Sequence, residues 1–295
     1  MEISASQVKD LREKTGLGMM ICKQALIEAN GDMALAVENL RKQGQVTAAK
    51  RADKAAKEGK VSIVLDDKAG IVYEVNSETD FVSRNEDFVA FIDNLGKLLL
   101  AKKPADLSAA LELTDASIGS IAVSAKVTEL VGKIGENISF RRYKKLDADP
   151  SKEKIFSYVH GGGKIGVLIK FEVASAAALS SPALAELGKD LAMQIAAENP
   201  TYVDPASIPA EVIAKEREIY AAQAKESGKP EAIVEKMIDG KLNKYYEEVT
   251  LVNQKFIRDP ESKQTVKTRI AEAAKAAGAD VKPISFVRFV LGAED

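Results

Sequence analysis

Residues 61 to 75 read VSIVLDDKAGIVYEV, and this stretch decides the fold class. Two short runs rich in β-branched residues, VSIVL and IVYEV, flank the glycine-containing turn DDKAG. Such a pattern predicts a β-hairpin. Because the residues before it have a helical period and those after it mix strand and helix patterns, both element types are expected in one chain.

The order of elements after this hairpin occurs twice. The hairpin is followed by two helical stretches, DFVAFIDNLGKLLLA and SIGSIAVSAKVTELVGKI, and by the strand ENISFRRY. A second hairpin, around HGGG, is followed by the helix PALAELGKDLAMQIAA and, much later, by the helix KQTVKTRIAEAAKAAG and the strand DVKPISFVRFVL. ISFRR at 138–142 and ISFVR at 284–288 are taken as equivalent. We infer a duplicated α+β module with a small antiparallel sheet in each copy.

The second copy contains an insertion at about 201–260. Two helices are predicted there, PAEVIAKEREIYAAQAKE and PEAIVEKMIDGKLNKYY, around SGKP. A projecting helical hairpin is usually an interaction arm, and a homodimer through it is one expectation. A helix pair folded onto its own domain is an equal alternative.

The first 44 residues predict a compact three-helix unit. Ser4 or Ser6 can cap the first helix, and Met19, Cys22, Leu26 and Ala29 share one face of the second. Asp32 caps the third helix, which is predicted to end at Gly44.

Residues 45–60, QVTAAKRADKAAKEGK, have no apolar period and favour a solvated linker, with a helical linker as one form of it. An RNA-contacting arm is the alternative, but no aromatic residue is present there for base stacking. The expected domains are 1–44, the linker 45–60, a first core subdomain at 61–145, a second at 146–200 and 261–295, and the inserted helical hairpin at 201–260.

Composition restricts the function. The chain has 295 residues, 46% of them hydrophobic, and a net charge of -2, so a globular protein with no global attraction to nucleic acid or membranes is expected. A single cysteine cannot form an intramolecular disulfide. One cysteine and one histidine are also too few ligands for a zinc or iron–sulfur site. No signal or transit peptide is visible and no apolar stretch is long enough to span a bilayer, which predicts a cytoplasmic protein.

Motifs that suggest catalysis fail in their context. HGGGKIG at 160–166 matches a dinucleotide fingerprint, but a strand follows it where a helix is required. A kinase or esterase assignment lacks the accompanying motifs, and one histidine cannot build the usual triads. No catalytic residues and no cofactor are therefore predicted, and Cys22 is assigned to the core.

Phe81 is the unexplained residue of the polar stretch NSETDFVSRN at 76–85. Two interpretations have about equal weight. In one, the ring folds back and plugs one end of the sheet. In the other, it is exposed and anchors a partner protein.

Five stretches in order resemble the bacterial translation elongation factor Ts family. They are TGLGMMICKQAL at 15–26, ETDFV at 78–82, KIGENISFRR at 133–142, HGGGKIGVL at 160–168 and AMQIAAENPTYV at 192–203. The resemblance implies an α+β protein with an N-terminal three-helix domain of the ubiquitin-associated type, a linker, and two similar core subdomains with a coiled-coil hairpin. It also implies a guanine-nucleotide exchange factor for elongation factor Tu, without covalent catalysis.

The resemblance further implies which residues contact Tu. In the stretch Thr79–Val82, the pair Asp80 and Phe81 would enter the GTPase domain near its magnesium site. The other implied contacts are Met19, Met20, Ile134, Gly135 and His160.

Two rival functions remain open at this point. A three-helix domain with a linker could belong to a peptide-binding or chaperone-type scaffold. A ribosome- or RNA-associated protein is the other rival, through the basic residues 50–60. An unrecognised hydrolase is the last alternative, because the chain has a single histidine.

Overall fold

Short polar caps define the N-terminal helices. The hydroxyl of Ser4 accepts a hydrogen bond from the amide of Gln7 at 3.2 Å, and a left-handed Gly16 ends the first helix. The carboxylate of Asp32 accepts from the first amides of the third helix. Val8, Leu11 and Leu26 belong to the buried core of this bundle. The helices are α1 Ala5–Thr15, α2 Met19–Glu28 and α3 Met33–Arg51.

This computed structural model describes residues 3–225, 230–259, 261 and 264–294. The predicted turn SGKP at 227–230 lies outside them except for Pro230, as does Lys263 at the predicted start of a later helix. None of the helices in the described ranges is long and apolar enough to cross a bilayer.

The third helix does not end at Gly44, where the sequence predicted its end. It continues to Arg51 because a neighbouring helix supports it: Gly44 contacts Gly132 and Ala48 packs against the core of the first module. The first part of the segment 45–60 is therefore a docked helix and not a solvated linker. The first strand begins at Glu58 instead of Val61.

The first core module is a three-stranded antiparallel sheet covered on one face by helices. The predicted hairpin is confirmed, and the strand that closes the module pairs with the second strand of the hairpin. Ile71, Tyr73 and Val75 point to the helices and share their core. The elements are β1 Glu58–Leu65, β2 Ala69–Ser77, α4 Glu86–Lys102, α5 Leu107–Leu111, α6 Val123–Ile134 and β3 Ile138–Asp147.

The second module repeats this topology, with its closing strand again beside the second strand of the hairpin. The predicted α+β fold with two small antiparallel sheets is therefore confirmed. Its elements are β4 Glu153–His160, β5 Ile165–Val173, α7 Pro182–Glu198, α8 Ala210–Lys225, α9 Glu231–Val249, α10 Val266–Ala277 and β6 Val281–Val290.

The sheet registers correct one detail of the predicted repeat. In β3 the unpaired bulge residue is Arg141, opposite the step from Glu74 to Val75. In β6 the corresponding bulge residue is Ile284, opposite the step from Lys170 to Phe171. Arg141 is the fourth residue of ISFRR and Ile284 the first of ISFVR, so the two similar stretches are not equivalent in the sheets.

The two sheets pack against each other through the faces that the helices do not cover. Val72 of β2 and Leu168 of β5 lie in this shared layer, together with Val61, Ile155 and Phe289. Because β2 has helices on one face and a sheet on the other, all nine of its residues are buried. Burial on both faces explains why the sequence shows short apolar runs there and not a strict alternation.

The insertion forms two packed helices, α8 and α9, with a small core of their own that includes Ala224, Val234, Ile238 and Leu242. Burial and the neighbouring Glu216 raise the pKa of Tyr220 in this arm to about 12. A homodimer through the arm stays a prediction.

Candidate functional site: the Phe81 turn and its neighbours

The turn after β2 exposes one aromatic ring. The side chain of Phe81 is 77% exposed, whereas the next residue, Val82, is only 3% exposed and belongs to the core of the first module. The ring therefore does not plug the end of the sheet. Val82, which the resemblance grouped with the contact residues, anchors the turn from inside.

Local hydrogen bonds define the shape of this turn. The amide and the hydroxyl of Ser83 both donate to the carbonyl oxygen of Asp80, at 3.1 and 2.6 Å. The amide of Arg84 donates to the carbonyl oxygen of Phe81 at 3.1 Å. Asn85 then caps α4, because its side-chain oxygen accepts from the amides of Asp87 and Phe88. Phe81 thus lies in a single helical turn between β2 and α4.

A second segment, the loop between α6 and β3, holds the turn from the side. The amide and the hydroxyl of Thr79 donate to the two carboxylate oxygens of Glu136, at 2.9 and 2.7 Å. In the opposite direction, the amide of Asn137 donates to the carboxylate of Glu78 at 2.6 Å. We call this reciprocal pair of contacts the crossed clasp.

The end of α3 joins the crossed clasp. The guanidinium of Arg51 donates to both carboxylate oxygens of Glu78, at 3.2 and 3.3 Å. The side-chain amide of Asn137 donates to the carbonyl oxygen of Lys54 at 2.8 Å. Three chain segments distant in sequence therefore meet directly beside Phe81.

The crossed clasp also brings Ile134 and Gly135 close to the turn. Ile134 is half-buried against the core of the first module, and Gly135 ends α6 with a φ of 83°. A positive φ of this kind favours glycine, because a side chain would be strained there. Glu136 follows directly, so the predicted contact residues 134–135 and 79–81 lie on either side of one hydrogen-bonded pair.

His160 is exposed at the end of β4, before the glycine turn. Its Nδ1 atom lies 2.9 Å from the hydroxyl of Tyr158. Gly161, Gly162 and Gly163 all have positive φ, and the carbonyl oxygen of Gly163 accepts from the amide of Val61 at 2.8 Å. The turn of the second module is therefore fixed to β1 of the first.

The N-terminal bundle presents an apolar patch at the start of α2. Met19 is 44% exposed, Met20 is 76% exposed and Ile21 is 48% exposed. The sequence placed Met19 on the same face as Cys22 and Leu26, but only those two are buried, because the bundle core begins one turn later. The patch is available to a partner.

Sequence reasoning missed the residues that hold the turn. Glu78, Glu136 and Asn137 all lie within or beside the quoted stretches ETDFV and KIGEN, but polar residues in loops give no signal of long-range pairing. The spacing of 57 residues between Thr79 and Glu136 can be recognised only once the sheet places the two segments together.

Comparisons with known proteins agree on one family. The family model described as Elongation factor TS matches residues 78–293. Elongation factor Ts from a Nitratiruptor species is 47% identical over 294 residues, which cover 99% of this chain and 94% of that protein. Elongation factor Ts from Clostridium novyi is 44% identical over 292 residues, which cover 98% and 93%.

Proposed function

The chain belongs to the elongation factor Ts family and is therefore a translation elongation factor, and we propose that it promotes release of GDP from elongation factor Tu. In this proposal it acts as a guanine-nucleotide exchange factor, by binding alone and without covalent chemistry. The partner surface consists of the Phe81 turn, Ile134 and Gly135, His160, and the methionines of α2.

The exposure of Phe81 is the observation that carries the proposal. An aromatic ring left 77% exposed forgoes about 2 kcal/mol of burial, a cost that a partner protein can recover. Aromatic anchors of this kind dominate many protein interfaces. The backbone of the turn is also hydrogen-bonded on both sides of Phe81, so less chain entropy is lost when a partner binds the ring.

The mechanism follows from how a GTPase holds GDP. The nucleotide is held by the phosphate-binding loop and a bridging Mg²⁺ ion, so its release is slow until one of them is disturbed. Insertion of Phe81 would displace the helices that position the magnesium ligands. Contact through His160 would disturb the phosphate loop, while Met19 and Met20 grip the GTPase domain from another side.

Linkage makes the effect reciprocal. If this protein lowers the affinity of Tu for GDP by a given factor, GDP lowers the affinity of Tu for this protein by the same factor. Each tenfold change in affinity corresponds to about 1.4 kcal/mol of coupling free energy. Abundant GTP then completes the cycle by displacing the exchange factor.

The test is the release of fluorescent GDP from purified elongation factor Tu, with and without this protein. We expect acceleration by the unmutated chain and a large loss with Phe81→Ala. Leu65→Ala is the matched control, since Leu65 is also an exposed apolar residue but lies at the other end of β1 from the Glu58–Ser77 pair. If the Phe81→Ala variant binds Tu and Tu still releases GDP at the rate seen with the unmutated protein, the proposed insertion of Phe81 is wrong.

A chain that leaves release unchanged would favour the rival functions. Capture of unfolded chains would then indicate a scaffold. Salt-dependent RNA binding at residues 50–60 would indicate an RNA-associated protein.

A further inference from the structure

We propose that Glu136 is a positioning residue that sets the orientation of Phe81, an inference that rests on the exchange function proposed above. Glu136 would act through Thr79 and not by touching the partner. The crossed clasp is the feature from which we argue.

Glu136 restrains the chain directly before the exposed ring. One of its carboxylate oxygens accepts from the amide of Thr79 and the other from the hydroxyl of the same residue. Two contacts in different directions fix both the peptide plane and the side chain of Thr79. Bonds to a carboxylate are also roughly twice as strong as bonds between neutral groups.

The chain directly after the ring is fixed as well. Val82 is buried in the core, and the amide of Asn85 donates to its carbonyl oxygen at 2.9 Å. Asp80 and Phe81 are therefore the short span between two anchors, Glu136 on one side and the core on the other. The hydroxyl of Ser77 also donates to the carbonyl oxygen of Thr79 at 2.8 Å, so without Glu136 this single contact would hold Thr79 and the ring would sample more directions.

The second half of the crossed clasp prevents Glu136 itself from moving. Glu136 and Asn137 are neighbours, and the amide of Asn137 is held by Glu78, whose carboxylate is in turn held by Arg51. The loop and the turn therefore move as one unit. This arrangement also couples the ring to the end of α3, and through α3 to the bundle that carries Met19 and Met20.

A carboxylate is the strongest group here because both Thr79 contacts are then charge-assisted. A glutamine would accept from the Thr79 amide through its oxygen and donate to the Thr79 hydroxyl through its amide nitrogen, so both contacts would be neutral and weaker. The series Glu136, Glu136→Gln and Glu136→Ala therefore removes the restraint stepwise while changing no apolar contact of Phe81.

The experiment is a double-mutant cycle between residues 136 and 81, with the maximal rate of fluorescent-GDP release from Tu as the readout. We expect Glu136→Ala to lower the maximal rate by about tenfold, as loss of a charge-assisted hydrogen bond would, with Glu136→Gln between it and the unmutated protein. In the Phe81→Ala background, Glu136→Ala should have no further effect. Glu112→Ala, which removes an exposed carboxylate of the same module, is the control and should leave the rate unchanged.

A second readout needs no Tu. Amide hydrogen exchange of the segment 77–85 in the free protein should be faster by about tenfold or more in Glu136→Ala, and unchanged in Glu112→Ala. A general loss of folding would instead raise hydrogen exchange throughout both modules. In that case Glu136→Gln supplies the test, because it disturbs the fold less than Glu136→Ala does.

Three outcomes would overturn the inference. They are an unchanged maximal rate in Glu136→Ala, an equal loss with and without Phe81, and unchanged hydrogen exchange at 77–85. Failure of the proposed function is separate: the unmutated protein would then leave GDP release unaccelerated, while hydrogen exchange would still decide whether Glu136 holds the turn.

Discussion

Gly132 of α6 and Gly44 of α3 touch through their backbones, and the contact is asymmetric. A Cβ atom added to Gly132 would lie 2.9 Å from the Cα atom of Gly44, a distance that real Cβ atoms essentially never show. A Cβ atom added to Gly44 would lie 3.8 Å from the Cα atom of Gly132, an ordinary van der Waals distance. The bundle therefore packs on the first module with no room for a methyl group on the α6 side.

The two glycines form a matched pair of substitutions. Both lie inside helices, so alanine brings the same gain in helix propensity, up to about 1 kcal/mol. We expect Gly132→Ala to lower the free energy of unfolding by about 1–3 kcal/mol, because the added methyl group must push α3 away. Gly44→Ala should be neutral or stabilising. Urea unfolding followed by circular dichroism measures both, and equal effects would contradict the asymmetric contact.

The same glycines show what local sequence could and could not predict. The hairpin at 61–75 was predictable because β-branched runs and a glycine turn are local signals. The end of α3 was not, since a glycine after an apolar helix indicates a cap. Gly44 instead lies inside the helix, against the backbone of Gly132, and only the packing of α6 reveals this contact.

The candidate site has the same limit. The sequence located Phe81 in a polar turn but left its exposure at even odds. The exposure of the ring depends on Val82, which occupies the core position next to it in the chain, and on Glu136, which comes from another part of the chain. Met19 likewise followed the period of α2, but the bundle core does not extend to the first turn of that helix.

Glu74 is a buried carboxylate that joins the two modules. Its side chain is fully buried in β2 and accepts from Arg142 at 2.7 Å and from the amide of Gly292, after β6, at 2.9 Å. We expect Glu74→Ala to destabilise the protein by about 3–5 kcal/mol, because the guanidinium of Arg142, only 13% exposed, loses the buried carboxylate that balances its charge. Glu172→Ala, at an exposed position of β5, should stay within about 0.5 kcal/mol. Comparable losses in urea unfolding would contradict the joining role of Glu74.

The buried phenol of Tyr73 should make the folded protein less stable at alkaline pH. Burial raises the pKa of its phenol far above the ordinary value of 10.0, and its hydroxyl donates to the carbonyl oxygen of Ile92 at 2.9 Å. Above pH 10 the unfolded chain loses this proton while the folded chain keeps it, so stability falls as pH rises, by up to about 1.4 kcal/mol per pH unit. The Tyr73→Phe variant has no ionisable phenol at this position. The stability advantage of the unmutated protein over Tyr73→Phe should therefore shrink between about pH 10 and pH 11, and a constant difference in unfolding free energy would contradict the assignment.

His160 should contribute less to exchange than Phe81 does. Its ring is exposed and its Nδ1 atom lies 2.9 Å from the hydroxyl of Tyr158, so His160→Ala removes one contact of a larger proposed surface and leaves the hydrogen bonds of the Phe81 turn in place. We expect release of fluorescent GDP from Tu to slow severalfold, by less than for Phe81→Ala, because few residues dominate an interface. Tyr158→Phe keeps the aromatic ring and removes only the hydroxyl beside Nδ1, so its effect should lie between the unmutated protein and His160→Ala. Thermal unfolding separates contact from structure: since His160 is exposed, stability should change by no more than about 0.5 kcal/mol, and a loss of stability with normal exchange would assign His160 to the hairpin alone.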